Sequence, residues 1–155
     1  MNSANYNKKP RQRREAVFER TLATAAPYFK CLYVKIKDPR FDRMRIKARA
    51  EGDDLCEVKR PYDGTLFIRE DDDYYGYNIV VELKYGDNTM EKHQKEYMEM
   101  INRVNKSSFL IRAKGECNNY VITVEQPEKN IVYKTDNVVD LFQWLLEQRI
   151  PKKIN

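Results

Sequence analysis

Apolar and polar positions alternate most cleanly in NIVVELKY, residues 78–85. Ile79, Val81, Leu83 and Tyr85 fall on one face of an extended strand, and Asn78, Val80, Glu82 and Lys84 on the other. YDGTLFIRE (62–70) precedes it, and the acidic run DDDYYGY between them reads as the tip of a β-hairpin. CLYVKIKDP (31–39) also alternates, with Leu32, Val34 and Ile36 opposite Tyr33, Lys35 and Lys37, and DRMRIKARAEGDD (42–54) does so more weakly. SSFLIRAKG, YVITVEQ and NIVYKT supply three further strands. The helical period appears three times. Residues 11–25 place Val17, Leu22 and Ala25, with Phe18 and Thr21, on one side, and Pro27 ends the run. After GDN, where Asn88 and Glu91 have capping-box spacing, Met90, Tyr97, Ile101 and Val104 form an apolar stripe. DNVVDLFQWLLEQR turns Val138, Leu141, Phe142 and Leu145 inward, with Pro151 beyond its end. The order predicts a mixed sheet flanked by helices, of α/β (α+β) class.

Two features break this patterning. Glu82 and Lys84 share one face of a strand whose Ile-Val-Val run marks it as central, where charges are costly unless paired or bound. The helical stripe of Met90, Tyr97 and Ile101 also passes through Gln94, where a core helix would carry leucine. Asp63 stands at the start of the preceding strand, beside Gly64, and hairpin pairing brings it toward Glu82 in a register the sequence leaves open. Two carboxylates converging at a sheet end suit a hard divalent cation. A lysine beside them can orient a water for attack on a phosphodiester.

Each residue also has a plain structural reading. Asp-Gly is a common turn pair. Glu82 and Lys84 suit a solvated face of an antiparallel strand, and Gln94 a helix border. Asp71, Asp72 and Asp73 fit a solvated hairpin tip, as do Glu51, Asp53 and Asp54 a turn. Tyr74, Tyr75 and Tyr77 pack a hairpin or stack on bases, and His93 reads as a surface residue. What favours a site is the joint occurrence of Asp63, Glu82, Lys84 and Gln94 in this order.

That ordered set resembles the PD-(D/E)xK nuclease superfamily, in its VRR-NUC or Holliday junction resolvase-like branch. PYDGTLFI, VVELK and a helix bearing KHQKEY carry the resemblance, which covers roughly residues 11–115. One departure is that Tyr62 takes the place of the usual proline, with Pro61 one position early. The resemblance implies a restriction-endonuclease-like fold and metal-dependent DNA endonuclease activity with Mg²⁺ or Mn²⁺ as cofactor, and it is compatible with selectivity for branched DNA. It implies Asp63, Glu82, Lys84 and Gln94 as catalytic residues. The metal would be held by Asp63, Glu82 and the Leu83 carbonyl, with help from a first-helix acid, Glu15 (or its rival Glu19). It is also compatible with a homodimer. A non-catalytic nucleic-acid-binding module of the same fold is the alternative, and a small interaction protein with a solvated charged strand a third reading.

Composition adds direction. Among 155 residues, 34% are charged and the net charge is +5, which suits a polyanionic partner such as DNA. Lys8–Arg14 and the group Arg40, Arg43, Arg45 and Lys47 concentrate the basic residues. No stretch is apolar enough to span a membrane. The absence of an apolar signal segment and the three scattered cysteines imply a reducing, cytoplasmic setting. With a single histidine, zinc is not expected. Residues 1–10 read as a disordered basic tail and 11–155 as one domain.

Overall fold

A computed structural model describes residues 10–36, 60, 62–68, 77–105, 108–116, 119–126 and 130–148. Helix α1 (Pro10–Ala25) runs into a 3-10 turn (Ala26–Phe29) and strand β1 (Cys31–Lys35). Then come β2 (Gly64–Ile68), β3 (Tyr77–Tyr85), helix α2 (Lys92–Asn105), β4 (Ser108–Glu116), β5 (Asn119–Glu125), β6 (Ile131–Thr135) and helix α3 (Val138–Glu147). The strands form one mixed sheet in chain order, giving the expected α+β class. Neighbours are antiparallel except β3 and β4, which run parallel because α2 carries the chain back between them. The expected weak strand at 42–54, the basic group from Arg40 to Lys47 and the acidic run at 71–73 lie outside the described residues. So do Tyr74, Tyr75 and most of the expected tail, whose last residue, Pro10, opens α1.

The core lies between the sheet and the pair α1 and α3. Phe18, Leu22 and Ala26 are buried at four-residue spacing and pack with Ile79, Val81, Leu83, Ile111 and Ile122. This shifts the inward face of α1 by about one position from the expected one: Val17 is exposed, and Thr21 bonds back to its carbonyl at 2.9 Å. The 3-10 turn closes with Lys30 in the left-handed region (φ 57°), its N–H on the Pro27 carbonyl. At the far end, α3 is capped by Asn137, whose side chain accepts from the Asp140 amide at 2.9 Å. Leu141, Phe142 and Leu145 are buried as expected, Phe142 stacking on Phe29 and Trp144 on Tyr133.

The opposite face of the sheet takes Val80, Glu82 and Lys84 from β3 and Ser108, Leu110 and Arg112 from β4, and α2 packs there. Its buried ridge is Gln94 and Met98, with Ile101 and Asn102 half-buried. Tyr97, expected inward, is exposed, and Met90 precedes the helix. The β1 alternation is real, yet its apolar side is the outer one: Leu32 is 58% and Val34 42% exposed, next to exposed Phe67 of β2. Cys31 and Tyr33 instead face α1, because among the described residues the sheet edge at β1 has a helix on that side only.

The turn after β3 sets the approach of α2. Gly86 adopts φ 64°, which favours glycine, and its N–H reaches the Ala113 carbonyl at 2.8 Å. Arg112 clamps this turn, donating to the Gly86 and Asn88 carbonyls at 2.7 and 2.6 Å while its Nε pairs with Glu125 at 3.0 Å.

Candidate active site

Antiparallel pairing fixes the register that the sequence left open. Gly64 lies opposite Val81, so Asp63, one residue earlier, lies opposite Glu82. The Asp63 amide donates to Glu82 Oε2 at 3.1 Å, and the Leu83 amide to Asp63 Oδ2 at 2.6 Å. Both carboxyls are withdrawn from solvent, Asp63 at 3% and Glu82 at 1% exposure. Lys84 Nζ lies 3.5 Å from Glu82 Oε1. That oxygen is buried and has no hydrogen-bond partner. The structure therefore gathers Asp63, Glu82 and Lys84 at one end of β2 and β3.

Burial raises the pKa of both carboxyls. For Asp63 the Arg60 guanidinium and the Leu83 amide oppose the rise. For Glu82 the neighbouring Asp63 adds to it and Lys84 opposes it. Burial outweighs the groups that favour the ionised forms, so the pair as a unit retains a proton above the usual carboxylate range.

Glu15 reaches this end of the sheet from α1. Burial and the Asp63 charge push its carboxyl up to about 7, against the pull of Lys84. Glu19, its rival, is already engaged: it accepts from Tyr33 Oη at 2.7 Å and pairs with Lys35 at 2.9 Å. Both first-helix acids stand near Asp63, Glu19 through its charge and Glu15 as the one more perturbed by burial. Tyr33 lies flat across Gly64, where an added Cβ would meet its ring atoms at 2.6 Å. Gly64→Ala is expected to destabilise the protein by about 1–3 kcal/mol through overpacking. Tyr33→Ala in the same chain should recover much of that loss, as read by urea denaturation; additive losses would show that the ring does not set the requirement for glycine.

Gln94 is buried, and its carbonyl end is committed to α2. Gln94 Oε1 accepts the Glu91 amide at 2.9 Å, the reciprocal half of a capping box with Glu91 at the cap. This replaces the expected Asn88–Glu91 box. No hydrogen bond among the described residues joins Gln94 to Lys84 or Glu82. His93 is half-buried beside Glu91, at 3.2 Å, and is not the surface residue expected. Sequence reading missed Arg60, whose Nη2 donates to Asp63 Oδ1 at 2.7 Å; the only signal was a basic residue three positions before the aspartate.

The donor set is all oxygen: the Asp63 and Glu82 carboxyls and the adjoining Leu83 peptide. Among the described residues no group of three or more His, Cys, Asp or Glu side chains is arranged to cage a metal. Two carboxylates still fit Mg²⁺ or Mn²⁺, since Mg²⁺ keeps several waters and takes one or two protein carboxylates. The buried Glu82 Oε1, which has no hydrogen bond and faces Lys84 at 3.5 Å, is an acceptor available to such an ion. Comparison with known protein families, curated proteins and solved structures finds no match for this chain.

Proposed function

We propose that this protein is a metal-dependent nuclease of restriction-endonuclease-like fold that hydrolyses DNA phosphodiester bonds with Mg²⁺ or Mn²⁺. The observation that carries this reading is Glu82. A carboxyl 1% exposed, with one oxygen that has no hydrogen bond and only Lys84 at 3.5 Å, beside a second buried carboxyl, costs stability. Such a group is expected where it serves a ligand.

On this reading Asp63 and Glu82 would hold the ion, with the Leu83 carbonyl as a further oxygen and Glu15 as an assisting acid. The ion, when bound, supplies Lewis-acid polarisation of the scissile phosphate and lowers the pKa of water. Lys84, 12% exposed, orients the attacking water and offsets charge developing on the phosphate oxygens. The water oxygen bonds to phosphorus, the bond to the leaving deoxyribose oxygen breaks, and a proton passes to that oxygen. Gln94 fixes the start of α2 above Lys84 and Glu82. The net charge of +5 and the exposed Arg13 and Arg14 on α1 favour approach of a polyanion.

A non-catalytic nucleic-acid-binding module is the second reading, favoured by the lack of a three-residue acidic cage among the described residues. Incubation with linear, nicked, flapped and four-way-junction DNA, in Mg²⁺, Mn²⁺ or EDTA, separates the two. Cleavage of at least one substrate that EDTA suppresses is expected. Salt-sensitive DNA binding with no cleavage in either metal would instead identify a binding module.

A further inference from the structure

Arg60 places its guanidinium against one of the two buried carboxyls. Its Nη2 lies 2.7 Å from Asp63 Oδ1, and its Nη1 donates to the Ile36 carbonyl at 3.3 Å. The Ile36 amide in turn donates to the Asp63 carbonyl at 2.9 Å. The guanidinium is thus anchored at the end of β1 and aimed at the carboxylate. With the Leu83 amide on Oδ2, both Asp63 oxygens are engaged. Glu82, across the same register, has a buried oxygen with no hydrogen-bond partner. The two acids are therefore unequal: Arg60 hydrogen-bonds Asp63 at 2.7 Å, whereas Lys84 stands 3.5 Å from Glu82 without a hydrogen bond.

We propose that Arg60 is a built-in attenuator of metal binding, a stand-in cation on Asp63 that a divalent ion must displace or share. The inference rests on the metal-dependent reading above and concerns how that site is regulated. A carboxylate oxygen bonds Mg²⁺ or Mn²⁺ at about 2.0–2.2 Å. An ion bound at Oδ1 would therefore sit close to a guanidinium 2.7 Å from that oxygen. The backbone anchor keeps Arg60 nearby after it yields the oxygen, so its repulsion persists. Arg60 also lowers the proton affinity of Asp63, and its removal strengthens proton competition. The balance still favours the metal: a divalent ion feels the lost positive charge twice and a proton once. Arg60 thus positions and neutralises Asp63 in the metal-free protein and sets the ion concentration at which the site fills.

The test is calorimetric titration of the full chain with Mn²⁺ at about pH 8 and low salt, comparing the parent with Arg60→Gln and Arg60→Lys, each checked for folding by circular dichroism. Arg60→Gln is expected to bind Mn²⁺ about tenfold more tightly. Arg60→Lys, which keeps the charge but loses the planar fork, should fall between it and the parent. Mn²⁺ should also raise the melting temperature of Arg60→Gln more than that of the parent. If the parent binds Mn²⁺ and the folded variants bind it equally or more weakly, Arg60 is a support for Asp63 and the attenuator role is overturned. Should Arg60→Gln fail to fold, Arg60→Lys alone decides by the same criterion. If neither parent nor variants bind any divalent ion, the metal-dependent reading falls and this inference with it.

Discussion

Replacing Lys84 by alanine is expected to abolish DNA cleavage while leaving the protein folded and able to bind Mn²⁺. The lysine is the one basic group aimed at the buried carboxyl pair from β3, 3.5 Å from Glu82. An ammonium does not ligate the ion, so its loss removes charge stabilisation and water positioning but no donor. Losses from removing such a group are about 10²–10⁴-fold in rate. Stripping the counter-charge from a buried carboxylate would ordinarily be severe. Here Glu82 already holds its proton strongly, so it neutralises and limits the cost to folding. Lys84→Arg is not expected to rescue, because a planar guanidinium cannot take the place of a compact ammonium between Glu82 and a phosphate. Glu82→Ala should behave differently, losing cleavage and Mn²⁺ binding together. Single-turnover cleavage set beside Mn²⁺ calorimetry makes the comparison. If Lys84→Ala cuts at the parental rate, the lysine serves only to balance Glu82.

What the sequence disclosed follows from which interactions are periodic. The strand period at 78–85 put Glu82 and Lys84 on one face, and Gly64 opposite Val81 then carried Asp63 to Glu82. The helix period located all three helices, but it misjudged two faces. Val17 lost to Phe18, Leu22 and Ala26 because an i, i+4, i+8 ridge follows the sheet more closely than the broader stripe. Tyr97 lost to Met98 because α2 turns Gln94 inward, and Met98 lies one turn beyond it. In β1 the alternation gave the faces but not which one is covered, since that depends on where α1 crosses the sheet edge. The same limit hid the partners of the site. Tyr33 on Gly64 crosses two neighbouring strands, Glu19 under Tyr33 joins a helix to a strand, and Arg60 meets Asp63 just before β2, with no repeat along the chain to announce any of them. Gln94 was noticed because it interrupts an apolar stripe, yet half of what explains it is local: its carbonyl closes the first turn of its own helix.

The stability of the metal-free protein is expected to fall as pH rises from about 5 to about 9. Among the described residues, every carboxyl with a resolved shift moves upward: Asp63 and Glu82 through burial first, and Glu15 to about 7. In the unfolded chain these groups titrate near about 4. Between that value and the folded one, the native state binds more protons than the unfolded state. Stability therefore declines with pH across the window, being fully present below the unfolded pKa and lost through the folded one. For Glu15 the shift corresponds to about 3 kcal/mol at about 1.4 kcal/mol per unit, and solvent screening of a half-buried group lowers this to on the order of 1 kcal/mol. Glu82 adds to it in the same direction over a higher pH range. Glu82→Gln keeps the shape but cannot ionise. Its denaturation midpoint in EDTA should vary less with pH and exceed that of the parent at pH 8, while Mn²⁺ binding disappears; Glu15→Gln should show a smaller version of the first effect. In the parent, Mn²⁺ at saturating concentration should restore stability at pH 8 and do little at pH 5, since the proton on the pair must leave before both carboxyls can serve as ligands. Urea denaturation from pH 5 to 9, with and without Mn²⁺, reads all of this at once. A midpoint in EDTA that climbs toward pH 8 would mean that both buried carboxyls are ionised in the folded protein, and that they are held by Arg60 and Lys84 as ordinary ion pairs with no proton between them.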